Sequence, residues 1–320
     1  MPGALAIGID AGGTRVAGLL VEPGNGGRIL DRREVPTPAE DAEATVRAIV
    51  ALARDLMSGR DDVRAVGMGA AGMVDLDGIM RYAPNVAWRE FPLARRVGQA
   101  VGLPTVVDND ANVAAWGEFR FGAGKDSTDM LLVTVGTGIG GGIVLGGKLL
   151  RGAHGFAAEI GHIIVEPGGP RCGCGNQGCW EQVASGRAID RLGRQVAREH
   201  PEALIVELAG GDPDLVTGPV VSAAARQGDS LATRILAEVG RRLGEGIAGL
   251  VNVLDPDLVV IGGGAIEAGD FLLEPARRSF AGTVEAPEHR PDVPIVSARL
   301  GNDAGAVGAA DLALAAVMGS

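Results

Sequence analysis

Aromatic residues are scarce: they make up 3% of a 320-residue chain, with three Trp and one Tyr. The core must therefore be built from Ala, Val, Leu and Ile, which the 46% hydrophobic share allows. Long apolar runs are also missing. None approaches the roughly 18 residues that mark a membrane span. The N-terminus has neither a charged n-region nor a long h-region, so no signal peptide is expected and the cytoplasm is the expected location. Positive charge is in short supply, with 29 Lys and Arg against 40 Asp and Glu, a formal net charge of −11. Nucleic acid is excluded as a partner, because neutralising phosphates requires clustered cations. The basic pairs Arg32-Arg33, Arg95-Arg96 and Arg241-Arg242 are each flanked by acidic or apolar residues and read as solvated faces. Cysteine is limited to three residues. An odd number in a long chain without a secretion signal argues against a disulfide framework.

What is present begins with those cysteines. All three fall in Cys172-Gly-Cys174-Gly-Asn-Gln-Gly-Cys179, and one of four histidines, His162, lies ten positions before the first. Three thiolates and one imidazole form a complete tetrahedral set for Zn²⁺, with no open position for catalysis. One structural zinc per chain is expected. Glycines at 173, 175 and 178 allow the loop to turn back on the metal.

Glycine is abundant, 52 residues, but dispersed in short loop motifs. Strand, glycine turn and strand occur at 5–21 and again at 130–145. The chain between and after them reads as helices and single strands, with the most periodic helix at 230–254. A duplicated mixed-sheet α/β fold follows, two-lobed, with a ligand cleft between the lobes. The expected division is a small lobe of residues 1–120, onto which a C-terminal helix of about 303–320 packs back, and a large lobe of 121–302 carrying the metal loop 161–181.

Two stretches fit G-x-G-x-x-G, at Gly136–Gly141 and Gly67–Gly72, but neither leads into a helix. Both fail as dinucleotide fingerprints. A different phosphate geometry remains. In Asp10-Ala-Gly12-Gly13-Thr14 and in Gly136-Thr137-Gly138, missing Cβ atoms let backbone N–H groups approach phosphate oxygens, and the Thr hydroxyls add further bonds. Asp10 is placed to hold Mg²⁺ through water. Among the acids, Asn109-Asp110 stands at a strand-to-helix junction, where a helix cap is the simplest reading.

These segments together resemble the ROK family, bacterial sugar kinases and sugar-responsive repressors on the actin–hexokinase (ribonuclease H-like) fold. The resemblance is carried by Asp10–Thr14, Val107-Asp-Asn-Asp110-Ala-Asn, Thr134–Gly142, Ala158-Glu159-Ile-Gly-His162, the Cys-x-Cys-Gly-x-x-Gly-Cys-x-Glu block and Gly262-Gly263-Gly264. The phrases Ala83–Arg89 and Ala115–Gly124 are similar to the ATP-dependent, glucose-phosphorylating branch of actinobacterial type. The resemblance implies a kinase that transfers phosphate from ATP, with Mg²⁺, to the 6-hydroxyl of glucose. It makes Asp110 the general base, and Asn85, Asn109, Glu159, His162 and Glu181 ligands of the sugar hydroxyls. It puts Gly12, Gly13, Thr14, Gly136, Thr137 and Gly138 at the phosphates and Gly262, Gly263 and Gly264 near the adenosine. A homo-oligomer, dimer or tetramer, is expected. Kinases for mannose, N-acetylmannosamine or fructose, and polyphosphate-using glucose kinases, share these motifs. A sugar-sensing regulator needs an N-terminal helix-turn-helix, for which a first core strand at Leu5 leaves no room. Two residues depart from the common pattern: Arg15 stands where Lys is usual, and Ala158 where Gly is usual.

Overall fold

The computed structural model describes residues 3–319. The chain opens with a meander, β1 (Leu5–Ala11), β2 (Arg15–Glu22) and β3 (Arg28–Pro36), followed by α1 (Ala42–Met57) and β4 (Val63–Ala70). Three short strands, β5 (Met73–Val74), β6 (Met80–Tyr82) and β7 (Arg89–Phe91), form a small sheet of their own. Then come α2 (Leu93–Val101), β8 (Thr105–Asn109) and α3 (Asp110–Phe121). The second half repeats the plan with β9 (Met130–Val135), β10 (Ile139–Leu145) and β11 (Lys148–Leu149). It continues through helices α4 (Glu181–Ala184), α5 (Gly186–Glu199), α6 (Leu204–Leu208), α7 (Gly218–Arg226) and α8 (Ser230–Leu254). The last elements are β12 (Leu258–Gly262), α9 (Asp270–Thr283), β13 (Ile295–Ser297) and α10 (Ala304–Met318).

The first five-stranded sheet runs β3-β2-β1-β4-β8 and the second β11-β10-β9-β12-β13. By rank within each sheet the order is identical, so the duplication expected from the two strand–turn–strand segments is present as repeated topology. In the first sheet β1 pairs antiparallel with β2, and β4 lies parallel to both β1 and β8.

Contacts divide the chain into two compact units. One comprises Met1–Leu132, Gly142–Ala158 and Ala298–Ser320, the other Val133–Gly141 and Glu159–Ser297. Strands β9 and β10 each run from one unit into the other.

In the first unit the period of two along β1 sorts side chains onto two faces. Leu5, Ile7 and Ile9 join Val46, Ile49 and Ala53 of α1 in one core, whereas Ala6 joins Ala306, Val307 and Ala310 of α10 in another. Small residues on the α10 face are a steric requirement. A Cβ on Gly8 would lie 1.7 Å from the Ala306 carbonyl oxygen, and one on Gly67 1.8 Å from that of Ala309. Gly67 and Gly69 thus belong to a strand on which a helix rests, which explains a glycine pattern that mimics a nucleotide fingerprint.

In the second unit α8 is the longest helix, 25 residues, capped by the Asp229 carboxylate on the N–H groups of Leu231 and Ala232. Two of its glycines serve the same purpose. A Cβ on Gly240 or Gly244 would meet the carbonyl oxygen of Leu272 or Ala276 at 2.3 or 2.2 Å, so α9 packs directly on its backbone. No helix among the described residues is long and apolar enough to cross a membrane.

Strand β10 already begins at Ile139, so the second glycine turn is confined to 136–138. Helix α9 carries Pro275 in its interior, a residue that reads in the sequence as a helix breaker.

Candidate active site

In the first unit Asp10 is the penultimate residue of β1 and leads into the Gly12–Thr14 turn, closed by a bond from the Gly12 N–H to the Arg15 carbonyl at 3.1 Å. Asn85 sits against this turn: a Cβ on Gly13 would come within 2.6 Å of the Asn85 Cβ. Asn109 ends β8 and caps α3, accepting from the N–H groups of Ala111 at 2.8 Å and Asn112 at 3.2 Å. Its amide nitrogen donates to the Gly72 carbonyl at 3.1 Å, which ties the junction to the segment before β5. The cap is therefore Asn109, and Asp110 is the first residue of the helix. Behind them, buried Asp108 accepts from the Asn109 N–H (2.8 Å), from Asn112 Nδ2 (2.9 Å) and from Arg151 Nε (2.5 Å). This anchoring of the strand–helix junction was not read from the sequence. Only the acidic run Asp108-Asn-Asp110 hinted at it.

The first unit also couples two carboxyls. Asp10 is pushed up to about 6, first by burial and then by the negative charge of Asp110, while Arg15 pulls the other way. Asp110 is also raised, by burial, against the bond its carboxylate accepts from the Ala111 N–H. Two carboxyls in these surroundings suit a site that takes up a proton or a cation. Arg15 itself is exposed and pairs with Glu34 at 3.3 Å.

The second unit assembles the remaining candidates. Gly136, Thr137 and Gly138 form the β9–β10 turn, with the Gly136 N–H on the Gly138 carbonyl at 3.0 Å. The start of α5 backs this turn: the Gly186 N–H donates to Gly136 O at 2.8 Å and that of Arg187 to Thr137 O at 3.4 Å. Gly262 ends β12. Gly263 has a positive φ of 88°, and a Cβ there would lie 2.5 Å from the Val135 carbonyl oxygen, which brings the Gly262–Gly264 turn beside the 136–138 turn. Gly264 opens a short 3-10 turn.

Glu159 is exposed and precedes a 3-10 turn, Ile160–His162. The ligand atoms of His162, Cys172, Cys174 and Cys179 all lie within 4.8 Å of one another. Cys172 Sγ is 3.7 Å from His162 Nδ1, and the Sγ atoms of Cys174 and Cys179 are 3.6 Å apart. A tetrahedral ion with bonds of about 2.3 Å has edges of about 3.8 Å, so the four groups fit a metal ion such as zinc. Without an ion, burial and then the neighbouring Glu181 push Cys172 up to about 12, whereas a bound cation would deprotonate it outright. Gly175 and Gly178 take the positive φ values, 98° and 76°, that the loop requires; Gly173 does not. Fully buried Trp180 fastens the loop to α8, donating from Nε1 to the Arg242 carbonyl at 3.0 Å above Gly246.

Glu181, the first residue of α4, links the cysteine loop to the 136–138 turn. Its Oε1 accepts from Cys172 Sγ at 3.0 Å and from Gln182 Nε2 at 3.1 Å. Its Oε2 stands 2.3 Å from where a Cβ on Gly138 would be. At the unit boundary, Ala158 has a φ of 69°. An L side chain is strained in that left-handed region, where Gly would not be.

Comparison with known proteins agrees with this arrangement. The ROK family model matches residues 6–316, and the chain belongs to the ROK family. It is 48% identical over 313 residues to a glucokinase of Streptomyces coelicolor, covering 97% of both chains. A ROK family glucokinase of Streptomyces griseus, solved with glucose and AMPPNP, superposes with a TM-score of 0.86 at 48% identity, over 97% of this chain and 99% of that one. A ROK hexokinase of Thermus thermophilus gives a TM-score of 0.80 at 36% identity, over 99% and 100% of the two chains. The mixed α/β actin–hexokinase-like fold expected from the motifs is the fold of this protein.

Proposed function

We propose that the protein phosphorylates glucose at its 6-hydroxyl with ATP, yielding glucose 6-phosphate and ADP. The observation that carries this reading is the 48% identity, over 97% of the chain, to a kinase structure holding glucose and an ATP analogue. Asp110 orients the 6-hydroxyl and takes its proton as the O6–P bond forms and the bond from the γ-phosphorus to the β-bridging oxygen breaks. Even with its pKa raised by burial, a carboxylate is too weak a base to ionise a sugar alcohol beforehand, so proton transfer is late. Positioning and charge neutralisation carry most of such a reaction. Asn85, Asn109, Glu159, His162 and Glu181 hold the other hydroxyls. The turns at 12–14 and 136–138 offer backbone N–H groups to the phosphates, and Gly262–Gly264 border the adenosine. Asp10 would hold, through water, the Mg²⁺ that enters with ATP, whose charge would offset that of the phosphate oxygens. The raised pKa of Asp10 supports this, since such a carboxyl favours a cationic neighbour.

In this reading the cation of the Cys₃His cluster is one structural zinc per chain, and His162 uses Nδ1 for the metal and Nε2 for the sugar. The functional division assigns residues 1–120, with helix 303–320, to the base-bearing lobe and 121–302 to the lobe with the metal loop. A cytoplasmic homo-oligomer, dimer or tetramer, completes the proposal; light scattering after size exclusion measures its size.

The test is a panel of glucose, mannose, N-acetylmannosamine and fructose against ATP and polyphosphate. Glucose with ATP is expected to have the highest kcat/KM. A higher value for another sugar or donor would replace the assignment. Metal analysis is expected to return one zinc per chain, and chelation to raise KM for glucose while AMPPNP still binds.

A further inference from the structure

The Gly12–Gly13 peptide is the least constrained part of the turn at 10–14, because neither residue has a Cβ to restrict rotation. In a trans peptide the C=O and N–H point in opposite directions. Whatever holds the Gly12 carbonyl therefore sets where the Gly13 N–H points. The holder is Thr37, whose Oγ1 donates to Gly12 O at 2.7 Å. The Thr37 backbone N–H donates in addition to Thr14 O at 3.0 Å. One residue thus ties back two carbonyls of the turn.

Thr37 is well placed to be rigid. It stands between Pro36 and Pro38, whose rings fix φ. Pro36 is the last residue of β3 and lies opposite Arg15 in the β2–β3 register. The turn is also confined by Asn85, which leaves no room for a side chain on Gly13. The turn at 136–138 uses the same device with other donors: its Gly136 and Thr137 carbonyls are tied back by the backbone N–H groups of Gly186 and Arg187. At Thr37 the lock resides in a side chain.

We infer that Thr37 is a positioning residue for the phosphate donor. Its hydroxyl locks the Gly12–Gly13 peptide so that the Gly13 N–H faces the donor phosphates. This rests on the reading of residues 10–14 as part of the ATP site, and the experiment separates the two. Thr37→Val keeps the shape and the backbone bond but removes the hydroxyl donor; Thr37→Ser keeps the donor. In Thr37→Val, KM for ATP and the Kd of AMPPNP by calorimetry are expected to rise about tenfold, the worth of one well-made hydrogen bond. KM for glucose should stay within about twofold, and Thr37→Ser should restore ATP affinity. Should the Val variant not fold, Thr37→Ala makes the same comparison. Unchanged ATP affinity, a parallel rise in both KM values, or failure of Ser to rescue would overturn the role of Thr37 while leaving the kinase reading intact. A wild-type protein that turns over glucose without using ATP would overturn both.

Discussion

Asp110 gathers the chemistry at the scale of single residues. It is the first residue of α3, next to a helix cap and within range of the Asp10 charge. Asp110→Asn keeps its shape and removes the proposed proton acceptor. Steady-state kinetics are expected to show kcat lower by about 10²–10⁴, the usual worth of a general base, with KM for ATP little changed. More than a tenth of wild-type kcat would end that role. Asp10 makes a separate prediction about stability. Its folded-state pKa of about 6 lies above the ordinary 3.8, so the folded protein binds this proton more tightly. The resulting stability is full below about pH 4 and is lost as the pH rises through about 6, in total up to about 3 kcal/mol. Asp10→Asn is expected to flatten that slope in urea unfolding of the nucleotide-free protein, and to leave it more stable than wild type at pH 7. Ala158 belongs here too. Relief of its left-handed strain by Ala158→Gly is expected to stabilise the protein by about 1 kcal/mol, read from the urea midpoint.

The turn at 136–138 and the metal loop meet at the scale of elements. Gly138 faces Glu181, and Glu181 is hydrogen-bonded to Cys172. A side chain at 138 therefore displaces the carboxylate proposed to bind sugar, as well as crowding the turn proposed to face the phosphates. Gly138→Val is expected to weaken both AMPPNP and glucose in calorimetry, by about tenfold or more each, since displacement of about 1 Å costs roughly 10²-fold in rate. Loss confined to the nucleotide would show that Glu181 yields without consequence. The anchor of the metal loop, Trp180 on α8, lies outside the ligand motif altogether.

At the scale of the whole molecule, the first unit is assembled from three separated stretches of chain, and α10 closes it by lying on β1 and β4. Close approach through glycine makes this packing intolerant of added atoms. Gly67→Ala would push a methyl group onto the Ala309 carbonyl oxygen. Overpacking of this kind typically costs about 1–3 kcal/mol, and contact with backbone places the expectation at the upper end. A thermal midpoint equal to wild type would show that α10 shifts freely.

Much of this protein could be read without coordinates. The cluster of His162, Cys172, Cys174 and Cys179 was legible because soft ligands so close in sequence have one natural use, and His162 needed only a short turn to join them. The repeated strand–turn–strand was legible because turn chemistry and apolar alternation are local. Helix α8 was legible from its spacing alone, whereas α9 was hidden by Pro275. What the sequence left open was decided by long-range contact. Nothing local distinguishes a glycine under a helix, such as Gly67, from one in a tight turn, such as Gly13, because at both a Cβ has no room and only the neighbour differs. The Asp108–Arg151 pair, the Trp180 anchor and the Thr37 lock join residues distant in the chain, and the separations at which they meet are set by the folded sheets.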